Sequence, residues 1–345
     1  MLNGCFTALI TPMTEEGEVD LEGLGRLVEF QLSQGASGIL AVGTTGESPT
    51  LDWDEHNRVI EHVVKGVGDK GVSIAGTGSN STQETMRGTD FAAKVGANAV
   101  LLVDPYYNGP SSLEIRREYV EPVARAFPDL EVIPYIIPGR TGTQLLPEDL
   151  ALLNECCPNV NAVKEATGDF DNMMRIRECC GEEFTILSGD DDKTLAMMKD
   201  VQIRAAGVVS VASNIAPGAV ERMVELMESG EVEEAEKVEE ALRPLFSIVT
   251  VKTTESTVFG EVACKARNPL ATKTLMRILG MPSGPCRQPV GKMTVSGLEV
   301  VLEAARKVLQ KNRWVLEPVE EFFGVDIESR LADSNRWEGL TYSEY

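Results

Sequence analysis

The sequence predicts an α/β fold: a TIM (β/α)8 barrel followed by a C-terminal helical appendage. Three observations carry that expectation. Short apolar runs alternate with amphipathic stretches from the first residues onward, and eight such pairs fit before the pattern changes. Polar residues of chemical interest then follow the apolar runs, at the places where strand ends would lie. Strict strand–helix alternation argues for a parallel sheet covered by helices. Eight units suggest closure into a barrel, whose active-site face is formed by the C-terminal strand ends. Residues 1–229 form the expected catalytic barrel, 230–312 a helical region and 313–345 an aromatic, acidic extension.

Taken in order, the expected strands are 5–11, 38–42, 72–75, 99–103, 131–135, 160–164, 185–188 and 207–211. Each is a short apolar run bounded by turn residues. Helical patterns fill the intervals at 21–34, 54–65, 82–95, 113–127, 147–156, 170–180, 193–200 and 217–227. Beyond residue 227 the chain turns helical and acidic, and the Glu-rich stretch 231–240 reads as a solvated helix face. Further helices are expected at 271–279 and 295–309. The segment 313–345 carries Trp314, Phe322, Phe323, Trp337, Tyr342 and Tyr345 among eight acidic and three basic residues. Disordered tails are poor in aromatics, so this one is expected to dock on the barrel or on a neighbouring subunit.

Composition narrows the function. At 345 residues the chain suits one barrel with an appendage, and apolar residues make up 43%. No run approaches the ~18 apolar residues of a membrane span. The start, Met1 to Phe6, lacks the basic and apolar regions of a signal peptide, so a cytoplasmic protein is expected. Fifty-four acidic against 32 basic residues give a formal charge of −22. Such a surface repels polyanions, which argues against nucleic acid as a partner. A small anionic substrate would need local positive groups set against that global field.

Seven cysteines without disulfide-scaffold spacing fit a reducing compartment. The vicinal pairs Cys156-Cys157 and Cys179-Cys180 lack a Cys-x-x-Cys pattern and read as buried apolar thiols rather than a metal site. Only two histidines exist, His56 and His62, both on one expected helix. A Ser-His-Asp hydrolase or a zinc-dependent aldolase needs histidines from several elements, so neither is expected.

The chemistry centres on Lys164, at the end of the apolar run bounded by Pro158 and Gly168. Lysine is almost never fully buried unless it is paired. Desolvation disfavours the ammonium, leaving a neutral amine able to attack a carbonyl and form a Schiff base. At neighbouring strand ends stand Thr44-Thr45, Gly76-Thr77-Gly78, Tyr106-Tyr107, Tyr135, Ser188-Gly189-Asp190 and Ser210. The glycine-rich turn 43–48 lacks the Lys-Ser/Thr of a phosphate loop, and Gly76-Thr77-Gly78 lacks a dinucleotide-binding third glycine. Adjacent threonines can instead donate hydrogen bonds to a carboxylate. Arg140, on the turn Pro138-Gly139-Arg140-Thr141-Gly142, offers a carboxylate fork beside Tyr135.

Together, Gly43–Ser48, Pro105-Tyr106-Tyr107-Asn108, Tyr135 with Pro138–Gly142, Lys164–Asp169 and Ser188–Asp191 resemble the dihydrodipicolinate synthase / N-acetylneuraminate lyase family of class I pyruvate aldolases. The resemblance runs over about residues 2–309. The Gly-Arg-Thr-Gly turn points toward members that condense pyruvate with L-aspartate 4-semialdehyde to 4-hydroxy-tetrahydrodipicolinate, in lysine and diaminopimelate biosynthesis. The alternatives are another pyruvate lyase acting on a sugar acid or related 2-keto acid and, more remotely, a barrel that only binds.

The resemblance implies that Lys164 forms the Schiff base and that Tyr135 exchanges protons beside it. Thr44 and Tyr107 complete a proton relay, with Tyr107 contributed across a subunit interface. Thr45, the backbone near Val209, and Gly189 hold pyruvate, and Arg140 binds the aldehyde's carboxylate. It also implies a homotetramer or tight homodimer with no metal or organic cofactor. Positions matching a lysine-binding regulatory site are Ser48, Trp53, His56, Asn80, Glu84 and Tyr106. Three features depart from the family: Ile136 stands where an asparagine is usual, 250–267 is longer than the usual connection, and 313–345 exceeds the usual C-terminus. Ile136 is expected to reshape the aldehyde pocket.

Overall fold

A computed structural model describes residues 2–344. Eight parallel strands, β1 (Gly4–Ala8), β2 (Gly38–Ala41), β3 (Val72–Gly76), β4 (Ala99–Val103), β5 (Glu131–Ile136), β6 (Ala162–Glu165), β7 (Thr185–Ser188) and β8 (Gly207–Ser210), close a barrel in chain order. Closure is the pairing of β8 with β1, Gly4 opposite Gly207 and Thr7 opposite Ser210.

The strands read as unbroken apolar runs because both faces are buried. Phe6, Leu40, Ile74, Leu101, Ile133, Tyr135, Leu187 and Val209 fill the barrel interior. Their neighbours Cys5, Ile39, Val100, Val132, Ile136, Val163, Ile186 and Val208 belong to the outer core under the helices. This period of two corrects one expectation. Tyr135 points inward, so Ile136 points outward and is fully buried in the outer layer, away from any substrate.

Helices Leu21–Ser33, Trp53–Val67, Thr82–Val95, Pro147–Cys156, Phe170–Cys180, Thr194–Lys199 and Pro217–Glu228 cover the barrel. Their starts are specified locally: Asp20, Asp52, Ser81 and Asp169 accept hydrogen bonds from first-turn amides, and Asp52 forms a capping box with Glu55. The expected helix at 113–127 spans 112–126 and widens into a π-turn over Ile115–Val120. Pro122 lacks the N–H that would bond the carbonyl of Glu118, and the Thr82 hydroxyl donates to that oxygen instead, at 2.8 Å.

Past the barrel come helices Val232–Ser247, Leu270–Leu279 and Val295–Lys311. The long connection 250–267 is an antiparallel hairpin, β9 (Thr250–Thr257) and β10 (Gly260–Arg267), turning at the exposed Val258 and Phe259. The tail docks on its own chain. Phe322 and Phe323 pack on Phe30 at ring separations of 5.3 and 5.1 Å, and Arg306 lies 5.4 Å over Trp337. Leu316, Val319, Ile327, Leu331 and Leu340 join the same core as the barrel helices.

The cysteines depart in part from expectation. Cys5 and Cys157 are buried, whereas Cys156 is exposed and Cys179 and Cys180 are half-buried. Among the described residues no cluster of His, Cys, Asp or Glu could hold a metal ion, and no helix is long and apolar enough to cross a membrane.

Candidate active site

Lys164 and Tyr135 are partners in the register of β5 and β6, so both project into the barrel mouth from adjacent strands. The Lys164 amine sits 4.2 Å from the centre of the Tyr135 ring. Lys164 is only 5% exposed and, among the described residues, forms no salt bridge. Burial lowers its pKa to about 8; the carboxylates of Asp190 and Asp191 oppose that fall, and Arg140 adds to it. At pH 7 roughly a tenth of such an amine is neutral, against well under a thousandth for ordinary lysine. Burial also raises the Tyr135 phenol above its usual range, partly offset by Arg140 and by the nearby Thr44 hydroxyl. A nucleophilic amine thus lies against a phenol that stays protonated.

Close backbone approach makes room for the lysine stem. A Cβ on Gly189 would lie 2.7 Å from Ala166 Cβ and 3.2 Å from Lys164 Cε, so the chain leaving β7 tolerates only glycine there. Asp191 is buried and accepts from the amides of Val211 and Ala212 at 3.0 Å, tying the ends of β7 and β8 together.

Thr44 and Thr45 sit on the turn after β2. The Thr45 hydroxyl accepts from Asn268 Nδ2 at 2.9 Å, which leaves its own proton free to donate. The turn is pinned by Glu47, in the left-handed region at φ 57°. Its carboxylate meets Lys273 Nζ at 2.6 Å, with both side chains 1% exposed. Lys273 also donates to the carbonyls of Thr11 and Pro285, at 3.0 and 2.8 Å.

Two cavities open here and share Thr44, Tyr135, Ile137 and Arg140. The first, about 240 Å³, contains Lys164, Thr45 and Gly189. The second, about 190 Å³, reaches Ser48 and Tyr106. Lys164, Tyr135, Thr44, Thr45, Arg140 and Gly189 therefore converge. Val209 lies beneath them in the interior core and lines neither cavity. Tyr107 is 93% exposed with φ 82° and joins neither.

The six candidate regulatory residues follow the ends of β2, β3 and β4, in the turns and helix starts there. Ser48 and Tyr106 share the second cavity. Trp53 and His56 pair at 4.7 Å, and burial drives His56 down to a pKa of about 4. Glu84 accepts from the Ser79 hydroxyl at 2.5 Å, and Asn80 is exposed. Sequence reasoning missed Asn268, Lys265 and Arg267, which line the first cavity from the hairpin and its exit. Asp190 and Asp191 follow the seventh strand in the sequence, but no local pattern there gives them a part. No local pattern marks the hairpin residues, because the fold brings them from about a hundred positions downstream of Lys164.

Comparison with known proteins agrees with this geometry. The model of the dihydrodipicolinate synthetase family matches residues 1–307. A 4-hydroxy-tetrahydrodipicolinate synthase from Methanothrix thermoacetophila is 40% identical over 295 residues, 85% of this chain and 92% of that protein. The crystal structure of dihydrodipicolinate synthase from Aquifex aeolicus superposes with a TM-score of 0.81 at 37% identity, covering 92% of this chain and 100% of that one. The enzyme from Cyanidioschyzon merolae, solved with lysine bound, gives 0.80 at 36% identity over 89% of this chain and 98% of that one. Because the match takes in the whole barrel, Lys164 included, and the first helices after it, the chain belongs to the dihydrodipicolinate synthetase family.

Proposed function

We propose that this enzyme condenses pyruvate with L-aspartate 4-semialdehyde to give 4-hydroxy-tetrahydrodipicolinate, through a Schiff base on Lys164. The buried, unpaired Lys164 against Tyr135 is the observation that carries this reading. The relatives named 4-hydroxy-tetrahydrodipicolinate synthase support the same substrates.

In the proposed mechanism the neutral Lys164 amine adds to the C2 carbonyl of pyruvate. The carbonyl oxygen takes protons and leaves as water, and a C=N bond replaces C=O. The iminium withdraws electrons, so the methyl group loses a proton and becomes a nucleophilic enamine carbon. That carbon bonds the aldehyde carbon, whose oxygen takes up a proton. The amino group of the aldehyde substrate then attacks the imine carbon and displaces Lys164, closing the ring and restoring the free amine. Tyr135 carries the protons without adding a charge, and Thr44 links it toward solvent. Thr45, with the backbone near Val209 and at Gly189, holds the pyruvate end; Arg140 takes the aldehyde's carboxylate. Tyr107 serves a second subunit's site, and its 93% exposure in the single chain supports an assembly of at least two chains.

Borohydride reduction with pyruvate tests this reading. Wild type should be trapped irreversibly at Lys164, and Lys164→Arg should escape; a wild type that is not trapped sinks the mechanism. The sugar-acid alternative loses its main support, because Ile136 faces the outer core. A second reading, inhibition by lysine, rests on the lysine-bound relative and on Ser48 and Tyr106 lining one cavity here. Turnover unaffected by added lysine would remove it.

A further inference from the structure

We infer that the β9–β10 hairpin is a substrate-recognition element, in which Lys265 and Arg267 join Arg140 in holding the carboxylate of the aldehyde. This inference rests on the reading of the site as a pyruvate–aldehyde condensation centre.

Placement comes first. Lys265 and Arg267 line the same cavity as Lys164, Thr45 and Arg140. Along β10 the exposure alternates: Cys264 and Ala266 are half-buried, while Lys265 and Arg267 are exposed on the other face. The hairpin base is also fastened to the arginine-bearing turn. Arg267 Nη1 donates to the carbonyl of Gly139 at 3.4 Å, and Arg140 Nη2 donates to that of Asn268 at 3.4 Å.

Charge makes the placement meaningful. Lys265 stands directly opposite Lys252 in the hairpin register, and Arg267 lies two residues along on the same face as Lys265. Like charges directly opposite one another destabilise a strand pair. Among the described residues none of Lys252, Lys265, Arg267 and Arg140 makes a salt bridge, although the chain has 54 acidic residues and only 32 basic ones. Arg267, Lys252 and Arg140 together hold the Lys265 ammonium below its usual range. The one carboxylate on this cavity wall is Asp190, which interacts with Lys164 and also with Arg140. A cluster of four cations that repels itself, with Asp190 as the one carboxylate on the cavity wall, is matched by an incoming anion.

The reaction supplies one. Condensation brings the aldehyde's carboxylate close to the carboxylate of bound pyruvate, which the uncharged Thr45 serves. Two carboxylates in one cavity repel each other, and the whole chain's net charge of −22 repels both. Cations on the hairpin offset that repulsion on the aldehyde side. Asp190 is left to face the aldehyde's ammonium.

The test is Lys265→Gln, alone and combined with Arg267→Gln; among the described residues the Lys265 side chain makes no hydrogen bond, so the single change leaves the Arg267–Gly139 fastening in place. KM for the aldehyde should rise about tenfold or more, one lost charge-assisted contact being worth roughly that factor. KM for pyruvate and the rate of borohydride trapping should stay at wild-type values. Added salt should raise the wild-type aldehyde KM more steeply than that of the double variant, which keeps only Arg140. The borohydride-reduced pyruvate adduct gives a readout independent of turnover: calorimetry should show L-homoserine binding about tenfold weaker to the double variant. Equal aldehyde KM and equal homoserine affinity would overturn the inference. So would an altered oligomeric state in sedimentation, which would assign these cations to a subunit contact. A wild type that traps pyruvate but ignores aspartate semialdehyde fails the substrate reading alone, since the homoserine measurement still decides the hairpin.

Discussion

At the scale of single residues, the reactive amine is set by burial and tuned by its carboxylate neighbours. In the proposed mechanism Lys164 must be neutral to attack, and burial lowers its pKa to about 8. The rate of trapping with pyruvate should therefore rise with pH and level off above about 8, as the ammonium gives up its proton. Asp190 raises the Lys164 pKa, so Asp190→Asn should move the midpoint of that profile to lower pH. A midpoint that stays put or moves upward would contradict the assignment of Asp190 as the neighbour that matters. Tyr135 keeps its proton over this whole range, because burial raises its pKa. Lys164 was legible in the sequence because a lysine ending a short apolar run breaks the usual avoidance of burial. Asn268, which hydrogen-bonds Thr45 from 223 positions away, carries no such mark.

At the scale of elements, strand phase and long-range pairing decide what the strand-end side chains can do. Ile137 lines both cavities, while Ile136 is fully buried under the helices. Ile136→Asn should destabilise the fold by about 2 kcal/mol or more, as an amide enters apolar packing, with little change in KM for either substrate in the protein that remains folded. Ile137→Asn should do the reverse, changing the aldehyde KM with little loss of stability. Thermal unfolding and steady-state kinetics on the two variants check both halves. The sequence placed the pocket at the end of the fifth strand but chose the wrong isoleucine, because adjacent apolar residues in a doubly buried strand do not reveal their phase. The turn after β2 shows the other limit. Its motif was readable, but the support from Lys273 to Glu47 spans 226 positions. Lys273→Met should cost about 3–5 kcal/mol, since it leaves a buried carboxylate without its cation. Glu47→Gln in the same chain should recover part of that loss, and pyruvate KM should rise in the single variant as Thr45 loses its fixed position.

At the scale of the whole molecule, the barrel was legible because strand–helix alternation is a local signal repeated eight times. The hairpin and the seat of the tail were not, since both depend on surfaces assembled from distant segments. The tail closes a mechanical chain that ends at the active site. Arg330 Nε donates to the carbonyl of Ile278 at 2.7 Å and its Nη2 to that of Arg277 at 3.2 Å, covering the C-terminal carbonyls of helix Leu270–Leu279. That helix carries Lys273, which holds Glu47 and through it the turn bearing Thr44 and Thr45. Phe322 and Phe323 meanwhile cover Phe30 on the first barrel helix. Among the described residues the tail lines neither cavity of the candidate site, so its contribution should be thermal rather than chemical. Removing residues 313–345 should lower Tm by on the order of 5 °C or more, through lost aromatic burial and an uncapped helix. Pyruvate trapping at Lys164, measured well below that Tm, should keep its wild-type rate. A truncated chain of unchanged Tm would mean that the tail's packing is energetically idle. One that is stable yet no longer trapped would mean that the tail acts on the reaction itself.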